Sequence, residues 1–238
     1  MRTKYLHQSF ALLVVCLIAL TLIVIHWKPV HAAPATFTVT NTDASGPGSL
    51  AQAISDANSN ANPSEQDTIE FDISATGNVE IRPSTQLTIS EPVVIDGYTQ
   101  SDSVANSSDW PTPFDGTLRV GINLSDVDPI NIASDDVTLQ GLVIYDDEGD
   151  DVSVTTPGNI IADGVDNLRL YGNYIDTYHN GLAKAKALTS RKSVVLTNTT
   201  NALIGGAAAG QRNVLGHCAL SCIDVSGSST TGIRIKGN

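Results

Sequence analysis

The chain has 238 residues, a formal net charge of −12 and only 5% aromatic residues. A polypeptide this acidic is repelled by nucleic acid and by anionic membrane surfaces, which leaves cations, cationic surfaces or neutral glycans as easier partners. Glycans or other surface proteins are the partners that we expect. Glycine is frequent, at 19 residues, and Val, Ile, Thr, Asn and Ser are common, which favours short strands joined by turns.

Residues 1–33 have the pattern of a secretory signal peptide. Arg2 and Lys4 form a positive start, residues 10–25 are a nearly unbroken apolar run, and Val30-His31-Ala32 supplies small residues for cleavage. The alternative is an uncleaved anchor, which would be the chain's contact with a membrane. The apolar run is shorter than the ~20 residues that span a bilayer, which favours cleavage. The sequence therefore predicts a secreted, extracellular or cell-surface protein.

Residues 34–66 are predicted to form an N-terminal cap that consists of a strand and a short helix. The segment FTVTNT alternates Phe37 and Val39 with threonines, which is typical of a strand. Ser49, with Gln52 three residues later, predicts a capping box at the start of the helix. The apolar residues that follow recur at helical spacing, so we expect this helix to cover the end of a stack of strands.

From residue 67 onward, short apolar segments follow one another without a second helical pattern. Many end at a glycine, and these are Gly141, Gly172, Gly205, Gly216, Gly227 and Gly237. The first three are 31 and 33 residues apart, and the last four are separated by 11, 11 and 10 residues. A long period with a short period of one third its length predicts a solenoid with three strands per turn. A sandwich of antiparallel strands would not require this constant interval.

Polar residues also recur with the long period. Asn173 and Asn238 each follow a repeat glycine, so we expect their amides to stack as a hydrogen-bonded ladder at one corner of the solenoid. Asp166 aligns with residues 135–136 one period earlier and with Thr200 one period later. Its place just before a strand predicts a structural turn residue.

Two parts of the chain resemble a known family. FTVTNTDASGPGSLAQAI, followed by DTIEFDI and EPVVIDGYTQ, resembles the N-terminal region of secreted bacterial right-handed parallel β-helix proteins, the pectin-lyase-like superfamily. Many of those proteins carry a Cys-Ser-Leu-Arg-Glu-Ala-Ile signature (the CSLREA type) where this chain has Gly48-Ser49-Leu50-Ala51-Gln52-Ala53-Ile54. IGGAAAGQRNVLG resembles their repeated rung.

The resemblance covers roughly residues 36–100 and 130–238. It implies an all-β fold, a right-handed parallel β-helix over residues 67–238, in an exported protein. It does not select a chemistry, because the superfamily contains lyases, hydrolases, epimerases, adhesins and surface repeats.

The segment DGVDNLRLYGNYIDTYHNG holds the candidate catalytic residues Asp163, Asp176 and His179. Asp176 precedes His179 by three residues, and an acid–histidine pair is suited to general acid–base catalysis. The alternative is that these residues shape turns.

The acidic segment YDDEGDD is the candidate metal site. Its carboxylates are Asp146, Asp147, Glu148, Asp150 and Asp151. So many adjacent negative charges repel one another unless they are solvated or bound to calcium, although the spacing does not match an EF-hand loop. Calcium is the one cofactor that the sequence suggests, and a solvated loop is the alternative.

Two cysteines lie outside the leader, Cys218 and Cys222 in the segment CALSC. In an oxidising compartment they could close a small loop by a disulfide. Two unpaired thiols are the alternative.

Two function classes remain open. The first is a non-enzymatic β-solenoid, secreted or at the cell surface, with a structural, adhesive or glycan-binding role. The second is a carbohydrate-active enzyme, a polysaccharide lyase or hydrolase of the pectin-lyase-like type. Regular repeats, high acidity and the lack of an evident catalytic set favour the first. The glycine rhythm also runs to Gly237 with no cap after it, which predicts that the chain is the N-terminal portion of a longer repeat protein or is covered there by another subunit.

Overall fold

Short strands make up most of the regular structure. The computed structural model describes residues 32–60, 65–125, 127–147, 158–181, 192–216, 218 and 221–238. Within these ranges, helix α1 spans Leu50–Ser59 and two 3-10 turns span Gly97–Thr99 and Ala209–Gln211. The strands are β1 (Thr36–Val39), β2 (Asp67–Phe71), β3 (Val79–Ile81), β4 (Thr88–Ile89), β5 (Val93–Asp96), β6 (Val120–Asn123), β7 (Ile130–Ile132), β8 (Thr138–Gln140), β9 (Leu142–Tyr145), β10 (Ile160–Asp163), β11 (Arg169–Tyr171), β12 (Tyr174–Ile175), β13 (Lys192–Thr197), β14 (Leu203–Gly205), β15 (Val214–Leu215), β16 (Ser221–Ser226) and β17 (Arg234–Lys236).

The strands form three sheets in which all the named strands pair in parallel. Sheet A has the order β1-β2-β5-β8-β11-β14-β17, sheet B the order β3-β6-β9-β12-β15, and sheet C the order β4-β7-β10-β13-β16. From β2 onward, the chain visits sheets A, B and C in turn and returns to sheet A one strand further along. We call one such circuit a pass. An all-β fold with parallel sheets is therefore confirmed.

Apolar residues stack over apolar residues from pass to pass. In sheet A the inward row in register is Ile69, Ile95, Leu139, Leu170 and Ile204. In sheet B it is Ile81, Ile122, Ile144 and Ile175. All of these side chains are buried in one hydrophobic cluster. Alternation along each short strand thus supplies a continuous core, because adjacent strands lie only ~4.8 Å apart.

Three repeat glycines, Gly141, Gly172 and Gly237, lie at equivalent positions between sheets A and B, whereas Gly205 aligns with Tyr171 and Lys236, so Gly206 is the equivalent glycine of that pass. Gly141, Gly172, Gly205 and Gly237 all have positive φ, a region that glycine enters without steric cost. A Cβ atom at Gly205 would also collide with the carbonyl oxygen of Lys236 in the next pass. In the last pass, Gly216, Gly227 and Gly237 follow β15, β16 and β17 directly. The short glycine interval therefore corresponds to one strand and one corner.

The predicted asparagine ladder is present at the same corner, with one additional member. The Asn213 amide donates to the Leu170 carbonyl at 2.9 Å and to Asn238 Oδ1 at 2.8 Å. Its own Oδ1 accepts from the Asn173 backbone N–H at 2.9 Å. The sequence did not reveal Asn213, because residues 206–212 separate it from the repeat glycine.

Asp166 is a turn residue, as its alignment predicts. Its Oδ1 accepts hydrogen bonds from Thr200 Oγ1 at 2.7 Å and from Asn201 Nδ2 at 2.8 Å. The Asp166 backbone N–H donates to Asp135 Oδ1 at 2.6 Å. These hydrogen bonds, led by that from Thr200, lower the pKa of Asp166. The carboxylate therefore links successive passes at the corner between sheets C and A.

The predicted helix is present, but only half of its capping box forms. Ser49 Oγ accepts from the Gln52 backbone N–H at 3.1 Å, as expected of an N-cap. The Gln52 side chain instead donates to Asp56 Oδ1 at 2.7 Å, one helical turn ahead. The buried face consists of Leu50, Ala53, Ile54 and Ala57, and the helix contacts β1, β2 and β4.

No helix within the described ranges is long and apolar enough to cross a membrane. The predicted leader lies outside the described residues, apart from its last two positions. The division into leader, cap and β-helix domain stays a prediction.

Candidate functional site

The three candidate catalytic residues lie at two different corners. Asp163 ends β10, at the corner between sheets C and A, and its carboxylate accepts from Asn198 Nδ2 at 3.1 Å. Asp176 follows β12 directly, at the corner between sheets B and C, and is 1% exposed. Because these corners lie at opposite ends of the sheet C strands, the structure does not bring Asp163 together with Asp176.

His179 is held against the outer face of sheet B. Its Nδ1 donates to the Leu118 carbonyl at 3.0 Å, which leaves Nε2 as the acceptor nitrogen. The ring occupies the space over Gly121, where a Cβ atom would lie 2.6 Å from Nε2. Burial lowers the pKa of His179, against the opposing effects of the Leu118 carbonyl and Glu80. In an acid–histidine pair, one ring nitrogen donates a hydrogen bond to the aspartate. In His179 the Nδ1 nitrogen instead donates to the Leu118 carbonyl.

An ionic network covers the outer face of sheet B beside His179, and we call it the Arg82 network. Arg82 Nε lies 2.7 Å from Glu80 Oε1, and one terminal guanidinium nitrogen of Arg82 lies 2.8 Å from Asp147 Oδ2. The Tyr145 hydroxyl donates to Glu80, and the Ser125 hydroxyl donates to Asp147. The network thus joins two carboxylates through one guanidinium group.

Both carboxylates of the Arg82 network favour the ionised form. Burial raises the pKa of Glu80, but hydrogen bonds from Tyr145 and Arg82 outweigh it, so the net pKa is lowered. The same balance, with Ser125 as the main donor, lowers the pKa of Asp147. Glycoside hydrolysis by a carboxyl pair requires one carboxylic acid that stays protonated. The Arg82 network does not supply one, and its geometry is that of a clamp between passes.

The acidic segment is only partly described. Asp146 is 3% exposed, and Asp147 belongs to the Arg82 network. Glu148, Asp150 and Asp151 lie outside the described residues, so calcium binding stays a prediction. Within the described ranges, no group of three or more His, Cys, Asp and Glu residues is arranged to hold a metal ion.

Cys218 and Cys222 form a disulfide, with their Cα atoms 4.9 Å apart. The bond lies at the corner between sheets B and C, where the chain leaves β15 and enters β16. It therefore closes one corner of the last pass.

A second surface feature, the Trp110 cleft, lies beside the corner between sheets A and B. It is a cleft of about 360 Å³, lined on one side by residues 108–110 and on the other by residues 206–209, with Arg212 between them and residues 237–238 at its end. Trp110 is 77% exposed, the largest exposed fraction among the big apolar side chains described. A planar apolar surface is thus presented to solvent next to polar groups.

The loop that carries Trp110 is held rigidly. Asn106 is 3% exposed, and its amide donates to the Ser108 carbonyl at 2.9 Å and to the Ala209 carbonyl at 2.8 Å. Asp115 accepts from the backbone N–H of Ser107 at 2.7 Å and from the hydroxyls of Ser107 and Ser108, each at 2.8 Å. These hydrogen bonds lower the pKa of Asp115 to about 2. The loop is therefore ordered before any ligand arrives.

Arg212 connects the two sides of the cleft. Its guanidinium carbon lies 5.5 Å from the centroid of the Trp110 ring, within the range of a cation–π contact. One of its terminal nitrogens donates to the Thr112 carbonyl at 2.7 Å. The indole is thus fixed in orientation by Arg212, which lies 102 positions later in the chain.

The sequence pattern did not identify this cleft. The available signal lies in the composition. The chain has two tryptophans, and Trp27 belongs to the predicted leader, so Trp110 is the one tryptophan outside that segment. A large aromatic residue in the polar segment SSDWPTPFDG does not fit the apolar alternation that defines the core.

No protein-family model matches this sequence. A search of curated proteins also finds no similar sequence.

Proposed function

We propose that this protein is a right-handed parallel β-helix, exported to the cell surface or secreted, that binds glycans without transforming them. The handedness is supported by the strand order, because parallel strands of one sheet are joined by right-handed crossovers in ~98% of cases. Export is supported by the leader pattern and by the resemblance to secreted β-helix proteins. The glycan-binding role is carried by Trp110.

An exposed indole on a rigid loop is suited to stack against a sugar ring. Sugars present patches of C–H groups that pack on aromatic faces, while their hydroxyls bind neighbouring polar groups such as those of Ser108 and Asp109. Covering ~100 Å² of apolar indole surface would contribute on the order of 2.5 kcal/mol. Because the loop is already ordered by Asn106 and Asp115, little of this gain is lost to ordering on binding.

The absence of catalysis is supported by the Arg82 network and by the placement of the candidate residues. The network holds both carboxylates ionised, and His179 has its Nδ1 engaged by a backbone carbonyl. Asp163 lies at a different corner from Asp176. A β-helix with these features is suited to display a binding surface.

Tryptophan fluorescence provides the test, because Trp110 is the sole tryptophan once the leader is removed. We expect neutral and acidic glycans from a broad panel to include ligands that shift its emission saturably. Trp110→Ala should abolish that binding when it is followed by calorimetry, since the variant has lost the fluorophore. Val104→Ala is the matched control, because Val104 is 56% exposed at the base of the same loop but lies outside the cleft. Glycan binding that survives Trp110→Ala would overturn the assignment of the site.

Incubation with uronate polymers tests the catalytic alternative. We expect no absorbance from an unsaturated product and no increase in reducing ends. Product formation by the purified chain that is abolished in Asp176→Asn or His179→Gln would replace the binding role with an enzymatic one.

A further inference from the structure

The outer face of sheet A has an uneven distribution of charge. At its N-terminal half, β2 and β5 present Glu70 and Asp96, which are adjacent in register. At its C-terminal half, β11 and β17 present Arg169, Arg234 and Lys236. The face is therefore acidic at one end and basic at the other, in a chain whose overall charge is strongly negative.

The outermost charges of this face, on Glu70, Arg234 and Lys236, have no partners within the described residues. Among the described lysines and arginines, only Arg234 and Lys236 have side chains without a hydrogen bond or ion pair to the described part of the chain. The other five described basic side chains form hydrogen bonds or ion pairs. Arg169, for example, donates to the Asn201 carbonyl at 2.7 Å. The carboxylate of Glu70 likewise forms no such bond in the described ranges. Within one chain they cannot meet, because five strand spacings, about 24 Å, separate β2 from β17.

From this pattern we infer that the outer face of sheet A binds a second copy of this chain. A twofold axis parallel to the strands, passing between β8 and β11, places β2 opposite the partner's β17 and β5 opposite its β14. Glu70 then faces Lys236 of the partner subunit. Val94 in β5 faces Leu203 of the partner subunit in β14. Both side chains are half-buried, and both belong to the outward-facing row next to that of Glu70 and Lys236.

Symmetry makes this arrangement self-complementary. Each pair occurs twice in an isologous dimer, so an ion pair lies at each edge of the contact, with one apolar contact between Val94 and Leu203 just inside it. The six overlapping strands bury on the order of 1,000 Å² in total, at the low end of specific interfaces. The contact is therefore weak and sensitive to salt, because its ion pairs are solvent-exposed. Many such contacts acting together would join surfaces that display the protein. This inference does not depend on the Trp110 cleft or on glycan binding.

Charge exchange between the two ends of the face provides the test. The chain without its leader is followed by sedimentation equilibrium from micromolar to near-millimolar concentration, at 0.05 M and 0.5 M NaCl. We expect reversible dimerisation that weakens about tenfold or more in the high salt. Glu70→Lys and Lys236→Glu should each weaken the dimer about tenfold, because each puts like charges opposite each other twice. The double variant restores the pairing in reverse and should return the dissociation constant to within about threefold of the original.

Asp43→Lys is the matched control, since Asp43 is an exposed residue in the loop before α1 and its change in net charge equals that of Glu70→Lys. It should leave dimerisation unchanged, and circular dichroism should be the same for all variants. A chain that stays monomeric at every concentration overturns the inference. So does a double variant that is as weak as the single variants. Loss of association in Lys236→Glu alone, with Glu70→Lys unaffected, would show that the basic end binds an acidic partner other than this face.

Discussion

Removal of the middle rung of the asparagine ladder should destabilise the protein out of proportion to the size of the change. In Asn213→Ala, the Asn173 N–H loses its acceptor and the Leu170 carbonyl loses the donor supplied by the amide. Both residues are buried, so water does not replace the lost hydrogen bonds. The amide also loses its bond to Asn238, which lies at the exposed end of the ladder.

The expected magnitude follows from the two buried backbone groups. A buried polar group left without a partner costs about 1–3 kcal/mol, so two such groups lower the free energy of unfolding by roughly 2–4 kcal/mol. For a chain of this size, a loss of about 3 kcal/mol corresponds to a fall in Tm of roughly 6–12 °C. In Asn238→Ala the amide is exposed and water takes its place, so the loss should stay below about 1 kcal/mol.

Urea denaturation followed by circular dichroism at 218 nm measures the difference, with Asn213→Asp as a third variant. An aspartate keeps the acceptor for Asn173 but directs a second oxygen at the Leu170 carbonyl. It should therefore be as destabilising as alanine at pH 7, although its size is unchanged. Equal stability of Asn213→Ala and Asn238→Ala would refute the reasoning, because the ladder would then contribute nothing beyond its exposed end.

Further predictions concern the ionisable groups and the cysteines. Arg82→Met should lower the free energy of unfolding at pH 7 by up to about 1 kcal/mol, and the loss should become smaller as the pH is lowered from 7 to 3. The carboxylates have lower pKa values in the folded state than in the unfolded state, where the values are near 4. They therefore stabilise the fold above pH 4, and this stabilisation is lost as the pH falls through their pKa values in the folded state. Equal losses at pH 7 and pH 3 would contradict this role of Arg82. Gly121→Ala should displace the imidazole of His179 into water and raise its pKa towards 6.5, as measured by NMR titration with His217→Gln to assign the signals; an unchanged pKa would mean that the ring does not occupy the space over the glycine. The cysteines in residues 218–222 should take up no thiol-alkylating label before reduction and two labels after it, by intact mass; two labels without reduction would exclude the disulfide.

The repeat of the strands was predictable because each pass contains a corner position at which few residues other than glycine fit. Gly141, Gly172, Gly206 and Gly237 stack at one corner, and a side chain at Gly237 would strike the Gly206 carbonyl of the pass before it. The sequence therefore has to return to glycine at each pass, and the interval is visible without any structure. Asn213 belongs to the same corner but was missed, because an insertion shifts it away from its glycine.

The surface features were not predictable in the same way. Because the chain visits three sheets in turn, residues close in sequence, such as Asp163 and Asp176, lie at different corners, whereas residues two or three passes apart come together. Arg82 meets Asp147 across 65 positions, and Arg212 meets the Trp110 loop across 100. Such contacts depend on how the loops of separate passes lie against one another, and the repeat itself carries no signal for them.

The corner between sheets A and B accepts connections of very different length. Between β8 and β9 it holds only Gly141, whereas between β5 and β6 it holds residues 97–119. The strands on either side keep their register in both cases, as Glu80 pairs with Gly121 and Gly121 with Val143. The segment that carries Trp110 and the stretches that set the register are therefore separable parts of the chain. If Trp110 binds glycans as we propose, natural selection or a protein engineer could exchange that segment for another sequence and change the ligand while the stacked core stays the same.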